Sequence, residues 1–166
     1  MCAEVRMANT GDIENLIKLR FDYFEDENRD IPCGTRQMIE SNLRDYFSRH
    51  IGSDFFAAVI EDDGAIISVA FLSIVEKPAS LVFPTGKTGA IFNVYTLPEH
   101  RGKGFATSAM RTLIEEAKRQ NASYIELSAT VEGLPLYRKL GFMEKLNSEY
   151  TDMKLQLTDT EGVNKP

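Results

Sequence analysis

Arg101-Gly102-Lys103-Gly104-Phe105-Ala106-Thr107 is the stretch whose residue types point most directly to chemistry. A strand-like run, Ala90 to Tyr95, leads into it through the breaker Pro98, and a helix with a strong apolar stripe leaves it. Gly102 and Gly104 let the backbone adopt dihedrals that a Cβ would forbid, so successive amide N–H groups can converge on one anion. The unpaired donors and the positive end of the following helix point at the same place. Strand, glycine loop and helix therefore make a phosphate-binding arrangement. Two nucleotide loops are excluded, because the run is neither G-x-G-x-x-G nor G-x-x-x-x-G-K-[ST]. A nucleotide-phosphate domain would also need a Walker lysine or a ribose-binding acid after the loop, and neither is placed correctly.

The elements that must position this loop can be read along the chain. Glu4 to Ala8 reads as a first strand, and Asn9-Thr10-Gly11-Asp12 supplies turn and N-cap residues for a helix from about Ile13 to Phe24. Ile13, Leu16, Ile17, Arg20, Phe21 and Phe24 share one face of it. Glu25 to Asp30 and Ile31-Pro32-Cys33-Gly34 read as a loop, after which Thr35 is expected to cap a second helix through about Arg49. Its buried stripe is expected to be Met38, Ile39, Leu43, Tyr46 and Phe47. Phe55 to Glu61 and Ala65 to Val75 read as central strands joined by a hairpin turn at Asp62-Asp63-Gly64. Lys77 to Lys87 reads as a long connection with an apolar middle, either a pocket lid or a patch that meets another subunit.

Asn93 interrupts an otherwise apolar strand; a buried amide there needs partners, either at a bulge or where a ligand lies. From Phe105, Ala106, Ala109, Met110, Leu113, Ile114 and Ala117 recur at helical spacing. Tyr124 to Ser128 follows as a strand parallel to the one before the loop, by a right-handed crossover. Pro135 suits the first turn of a short helix, Gly141 its left-handed C-terminal position, and Phe142 is expected to fold back on it. A last strand is expected about Asp152 to Leu157, on the alternation of Met153, Leu155 and Leu157. Residues 1–157 read as one domain and 158–166 as a polar, flexible tail.

Composition sets the outer bounds. The 166 residues are enough to bury a core, and 43% hydrophobic with 27% charged residues is ordinary for a globular protein. A formal charge of −6 disfavours nucleic-acid binding and is compatible with a cationic partner. No basic-plus-apolar leader opens the sequence, and the longest nearly apolar run, Ala65 to Val75, is too short to cross a bilayer, so a cytoplasmic protein without membrane partners is expected. Cys2 and Cys33 lack metal spacing and read as reduced; His50 and His100 lack nearby ligand partners, so no metal is expected.

The run Arg101 to Ala106 matches [RQ]-x-x-G-x-[GA] and resembles the coenzyme A pyrophosphate loop of the GNAT superfamily of N-acetyltransferases. About 30 residues on, Gly133-Leu134-Pro135-Leu136-Tyr137-Arg138-Lys139-Leu140-Gly141-Phe142 is similar to that family's later signature, a short helix with a tyrosine closed by Gly-Phe. The resemblance is close from about Ala90 to Phe142. It implies an α/β (α+β) three-layer fold: a mixed, mostly antiparallel sheet of about six or seven strands with a central parallel pair, flanked by about four helices.

It also implies an enzyme that uses acetyl-CoA, in which an amine attacks the thioester directly. Asn93, Val94 and Tyr95 would pair through their backbone with the pantetheine arm, and the amides of Gly102, Lys103, Gly104, Phe105, Ala106 and Thr107 would hold the pyrophosphate, with Arg101 and Lys103 adding charge. Tyr137 matches the tyrosine that protonates the departing thiolate. Thr130 stands where the family often has an asparagine, seven residues before that tyrosine, and reaches less far. No carboxylate lies between Gly89 and Tyr95, where some members carry a base; Glu126 and the acidic stretch are the remaining carboxylates to consider. Implied partners are a small-molecule or peptide amine, drawn toward a cationic one by Glu25, Asp26, Glu27 or Asp30, and a second copy of the chain if the 77–87 patch meets one. The alternative is a non-catalytic acyl-CoA-binding sensor of the same fold, which would bind without turnover.

Overall fold

The hairpin at Asp62-Asp63-Gly64 sets the middle of the sheet. Asp63 (φ 49°) and Gly64 (φ 79°) are both left-handed, the type I′ geometry whose twist matches that of the strands it joins. Accordingly β2 (Phe55–Asp62) and β3 (Ala65–Glu76) pair antiparallel, with Asp62 opposite Ala65. The structure is a computed structural model that describes residues 3–145 and 153–157. β1 (Glu4–Met7) adds antiparallel to β2, and β4 (Lys87–Thr96) antiparallel to β3. β5 (Ile125–Glu126) lies parallel to β4, Gly89 opposite Ile125 and Ala90 opposite Glu126. Among the described residues the sheet has five strands, in the order β1-β2-β3-β4-β5.

Helices cover both faces. α1 (Ile13–Asp26) and α2 (Cys33–His50) pack on one side, where Leu16, Leu19, Phe21, Phe47, Phe55 and Phe71 form a buried cluster. α3 (Phe105–Arg119) packs on the other against Ala58, Ala70, Leu72 and Ile91, through Met110 and Leu113. β2 and β3 are thus buried on both faces, which is why they read as continuous apolar runs rather than alternating ones. A short α4 (Leu134–Lys139) follows β5. Burial of the Phe47, Phe55 and Phe71 rings, with centroids 5.0 to 5.6 Å apart, anchors α2 on the sheet.

The start of α1 is over-determined. Asn9 Oδ1 accepts from the Gly11 N–H at 2.8 Å and Asp12 Oδ2 from the Asn9 N–H at 2.9 Å, a reciprocal capping box around a 3-10 turn. Arg6 of β1 donates to both Asp12 oxygens at 2.8 Å and to Glu61 of β2 at 2.7 Å, so one guanidinium ties two strands to the helix entrance. Its hydrogen bonds hold the Asp12 carboxyl below the usual carboxylate range.

Several sequence expectations need correction. α2 starts at Cys33, not after Thr35, because the first helical hydrogen bond runs from the Arg36 N–H to the Pro32 carbonyl at 2.9 Å. Proline lacks the N–H that a helix start leaves unused, and Thr35 falls inside the helix, whose entrance has no side-chain cap. Met38 is exposed on the outer face of α2, while Leu19, omitted from the expected stripe of α1, is buried. The strand expected over Tyr124–Ser128 contracts to two residues. Residues 153–157 are not a strand: Met153, Leu155 and Leu157 are exposed, and Asp152 lies outside the described residues. The expected mixed, mostly antiparallel sheet with a parallel pair and four flanking helices is present; among the described residues it has five strands against about six or seven expected, and the parallel pair lies at its edge. Cys2 and the tail 158–166 also fall outside the described residues.

Candidate active site

β4 carries the irregularity on which the site is built. Val69 pairs with Tyr95 and Phe71 with Phe92, so Asn93 and Val94 together face the single residue Ala70. This is a β-bulge. Asn93 adopts φ 52°, a left-handed conformation that asparagine tolerates better than most residues. Its Oδ1 accepts from the Arg20 guanidinium at 3.0 Å. Since a guanidinium only donates, the amide orientation is chemically determined, and Nδ2 is left as a buried donor with no partner among the described residues.

β4 pairs with β5 only at its N-terminal end, and from Ile91 onward the two diverge. A cleft of about 960 Å³ opens between them. Its walls are Ile91–Val94 and Thr96 on β4, the loop around Gly102, the start of α3, residues from Leu127 to Gly133, Leu136 and Tyr137 on α4, and Tyr23, Asp26 and Glu27 at the end of α1.

The glycine loop forms one end. Arg101 donates to the Thr96 carbonyl at 3.0 Å and to Asp26 at 2.8 Å, clamping the loop to β4 and to α1. Gly102 and Gly104 have φ of 77° and 83°, and a Cβ built on either would meet no heavy atom within 4 Å. They are needed for the left-handed backbone, not for space. Among the described residues no acceptor takes the N–H of any residue from Gly102 to Thr107; the first to bond is Ser108, to the Gly104 carbonyl at 3.1 Å. A row of free amides and the positive end of α3 therefore share one wall of the cleft.

Tyr137 faces the same cleft from α4, whose C-terminus holds it in place. The Phe142 N–H bonds the Tyr137 carbonyl at 3.0 Å and the Gly141 N–H that of Arg138 at 3.1 Å, with Gly141 at φ 92°. This is a Schellman cap, and its usual apolar contact is present as Phe142 against the Tyr137 ring, centroids 6.1 Å apart. A Cβ on Gly133 would lie 2.8 Å from Tyr137 Cε2, so a glycine there makes room for the ring. Burial pushes the Tyr137 phenol up from its ordinary value.

The cleft gathers Asn93, Val94, Arg101, Gly102, Gly104, Phe105, Ala106, Thr107, Thr130 and Tyr137 from the expected site residues. Tyr95 is not among the lining residues, its side chain being packed in the α1 side of the core, and Lys103 is exposed outside the cleft. Thr130 plays a structural part as well: its Oγ1 accepts from the Gly133 N–H at 3.2 Å and its carbonyl from Leu134 at 3.1 Å, which starts α4. Glu126 is paired with Lys145 at 2.9 Å.

Tyr23 and His100 also line the cleft and were not expected there. Tyr23 donates to Glu27 at 2.5 Å; burial and that hydrogen bond push its phenol up to about 12. The i,i+4 spacing of Tyr23 and Glu27 was the available signal. Three acids of this stretch have cationic partners: Glu25 with Arg36, Asp26 with Arg101, Glu27 with Arg29. None of residues 77–86 lines the cleft; Leu81 and Val82 project into solvent. Among the described residues, no group of three or more His, Cys, Asp or Glu is placed to hold a metal, and no helix is long and apolar enough to cross a membrane.

The model of the Acetyltransferase (GNAT) family matches residues 13–142. A crystal structure from Clostridium acetobutylicum, described as a predicted acetyltransferase with acetyl-CoA, superposes with a TM-score of 0.80 at 29% identity, over 92% of this chain and 96% of that one. A GCN5-related N-acetyltransferase from Ralstonia eutropha JMP134 gives 0.77 at 27% identity, over 94% and 99%. Glucosamine-6-phosphate N-acetyltransferase from Arabidopsis thaliana gives 0.66 at 22%, over 92% and 100%, a likeness of fold alone. No curated protein matches the chain at the level of sequence.

Proposed function

The chain belongs to the GNAT family of acetyltransferases, and from that premise we propose that it moves an acetyl group from acetyl-CoA to an amine of a small molecule or peptide by direct attack. The observation that carries this reading is the row of free amides from Gly102 to Thr107 sharing one cleft with the Tyr137 phenol. Those amides fit a diphosphate: they are unpaired, they converge at the positive end of α3, and the glycines need no neighbour to move. Gly102, Gly104, Phe105, Ala106 and Thr107 would hold it, with Lys103 adding charge from outside. Arg101 contributes mainly by fixing the loop, because its guanidinium is engaged with Asp26 and Thr96.

Beyond its pairing with β5, β4 offers backbone groups at Ile91 to Val94 that no strand takes up on that side. These line the path from the amide row toward Tyr137 and suit the pantetheine arm. The wall made by Tyr23 and Glu27 is then left for the acceptor. In the transfer, the nitrogen of the free amine forms a bond to the thioester carbon, the carbon–sulfur bond breaks, Tyr137 gives its proton to the leaving thiolate, and the proton shed by the acylated nitrogen passes through water and restores the phenol. A phenol whose ionisation is suppressed by burial remains a donor at neutral pH. Positioning supplies much of the acceleration, since orienting two reactants is worth about 7 to 11 kcal/mol. We assign residues 1–157 to a single catalytic domain.

Release of free thiol from acetyl-CoA, measured across amines of varied size and charge, tests the proposal. Thiol release that depends on the amine is expected; tight acetyl-CoA binding with no turnover on any amine would make the protein an acyl-CoA binder instead.

A further inference from the structure

Arg20 is half-buried on α1 and has no role in the cofactor contacts just described. The described arginines that are neither exposed nor fully buried are Arg6, Arg20 and Arg44. Arg6 pairs with Asp12 and Glu61, and Arg44 with Glu14 and Glu40. Arg20 pairs with no carboxylate among the described residues. Its guanidinium lies over the rings of Phe24 at 4.7 Å and Phe92 at 5.4 Å and donates once, to Asn93 Oδ1. Its remaining N–H groups have no acceptor among the described residues. Of the acids that line the cleft at the end of α1, Asp26 is engaged by Arg101, and Glu27 by the Tyr23 hydroxyl and by Arg29 at 2.7 Å.

A desolvated cation is normally paired, because withdrawing it from water is costly without a counter-charge. Burial shifts the Arg20 guanidinium down, and it still cannot lose its proton at neutral pH. The two aromatic faces fix its plane, so its donors are pre-oriented. Arg20 is not itself among the residues that line the cleft, but Phe92 and Asn93, which it touches, are, and so is Tyr23, on the same helix as Arg20, at the wall left for the acceptor. Resting on the acetyltransferase reading above, we propose that the acceptor amine carries a carboxylate that pairs with Arg20, making the substrates amino acids or similar amino-carboxylates. A single guanidinium matches a monoanion in charge and a planar carboxylate in geometry. A phosphate dianion would call for a second free cation on this wall, and Arg29, Arg36 and Arg101 are already paired.

The test compares amino acids with their own primary amides, and with amino-alkyl phosphates, as acceptors in the thiol-release assay. The unmodified protein is expected to show at least tenfold higher kcat/KM for the carboxylate than for its amide. Arg20→Met is expected to bring that ratio close to one through KM, and Arg20→Lys to restore part of it. Equal use of acid and amide, preference for the phosphate, or an Arg20→Met variant that lowers both members alike would each overturn the proposal. So would turnover of no carboxylate by a protein whose melting point acetyl-CoA still raises. Failure of acetyl-CoA to bind the unmodified protein is a different result, since it removes the acetyltransferase reading itself. The acid-to-amide ratio of the unmodified protein decides the matter even where a variant does not fold.

Discussion

A tyrosine can serve acyl transfer only while its phenol keeps a proton to give, and burial secures that for Tyr137. The sign of the shift has a kinetic consequence. A phenol raised above its ordinary value near 10 stays protonated throughout the range in which an amine acceptor is progressively freed of its proton, about pH 7 to 10. Turnover should therefore rise with pH as the free amine accumulates, with no fall traceable to Tyr137 below about pH 10. Tyr137→Phe keeps the ring against Phe142 and removes only the hydroxyl. It should slow kcat at least tenfold, within the ordinary range for proton transfer, while acetyl-CoA affinity barely changes. Unchanged kcat in the variant would remove the phenol from the mechanism, whereas an alkaline fall at about pH 8 to 9 that the variant abolishes would keep it there and show that its ionisation is not raised. At this scale the sequence was most informative where backbone chemistry restricts the choice of residue, as at Gly102, Gly104 and Gly141, which all take the positive φ expected of them. It was silent on Asp26 as the partner of Arg101, because 75 residues separate them and nothing local signals the pair.

Among the elements, α4 shows most directly how local structure sets up the site. Six residues make too short a helix to persist on hydrogen bonds alone, so its ends carry it. Thr130 accepts the N–H groups at the entrance, and the Gly141-Phe142 cap closes the exit on the ring of Tyr137 itself. The Gly-Phe ending is thus a positioning device for the phenol and not merely a stop. Gly141→Ala forces a Cβ into a left-handed residue at a cost of about 1 to 2 kcal/mol, although no heavy atom stands within 4 Å of that Cβ. We expect kcat to fall several-fold with little change in KM for acetyl-CoA, because the amide row at the other end of the cleft is untouched. Gly141→Asn, which tolerates the left-handed region, should recover much of the loss. An alanine variant with unaltered kcat would show that the cap does not position the phenol. Thr130 was read only as a cofactor contact and not as the acceptor at the entrance of α4, whereas the exit was legible at Gly141-Phe142 and the first turn at Pro135, because such residues are read locally. The entrance of α2 was misread for the same reason: Pro32 and Thr35 are both good start signals, and the register that lets Ile39, Leu43, Tyr46 and Phe47 pack against α1 and the sheet decided between them.

For the molecule as a whole, the sheet's two covered faces were readable from the apolar runs of β2 and β3, whereas its edges were not. Alternating side chains state which face of a strand is apolar but not whether another strand is present to complete its ladder, which is why β5 shortens and residues 153–157 stand outside the sheet. The cleft is likewise a property of the assembled chain, since it exists only because β4 bulges at Asn93 and parts from β5. A ligand that bridges this gap should stabilise more than the loop it touches: Arg101 links the glycine loop to α1, and α1 is packed into the aromatic core that holds α2. Acetyl-CoA at 100 times its Kd should add about 2.7 kcal/mol. For a domain of this size that is a rise in Tm of about 5 to 11 °C in one cooperative transition. ATP and NAD at equal concentration should raise it far less, because the loop has neither the lysine nor the glycine spacing that their phosphates require. A larger shift with ATP or NAD than with acetyl-CoA would mean that the free amides serve a different anion, and the assignment of the cleft to an acyl donor would fall with it.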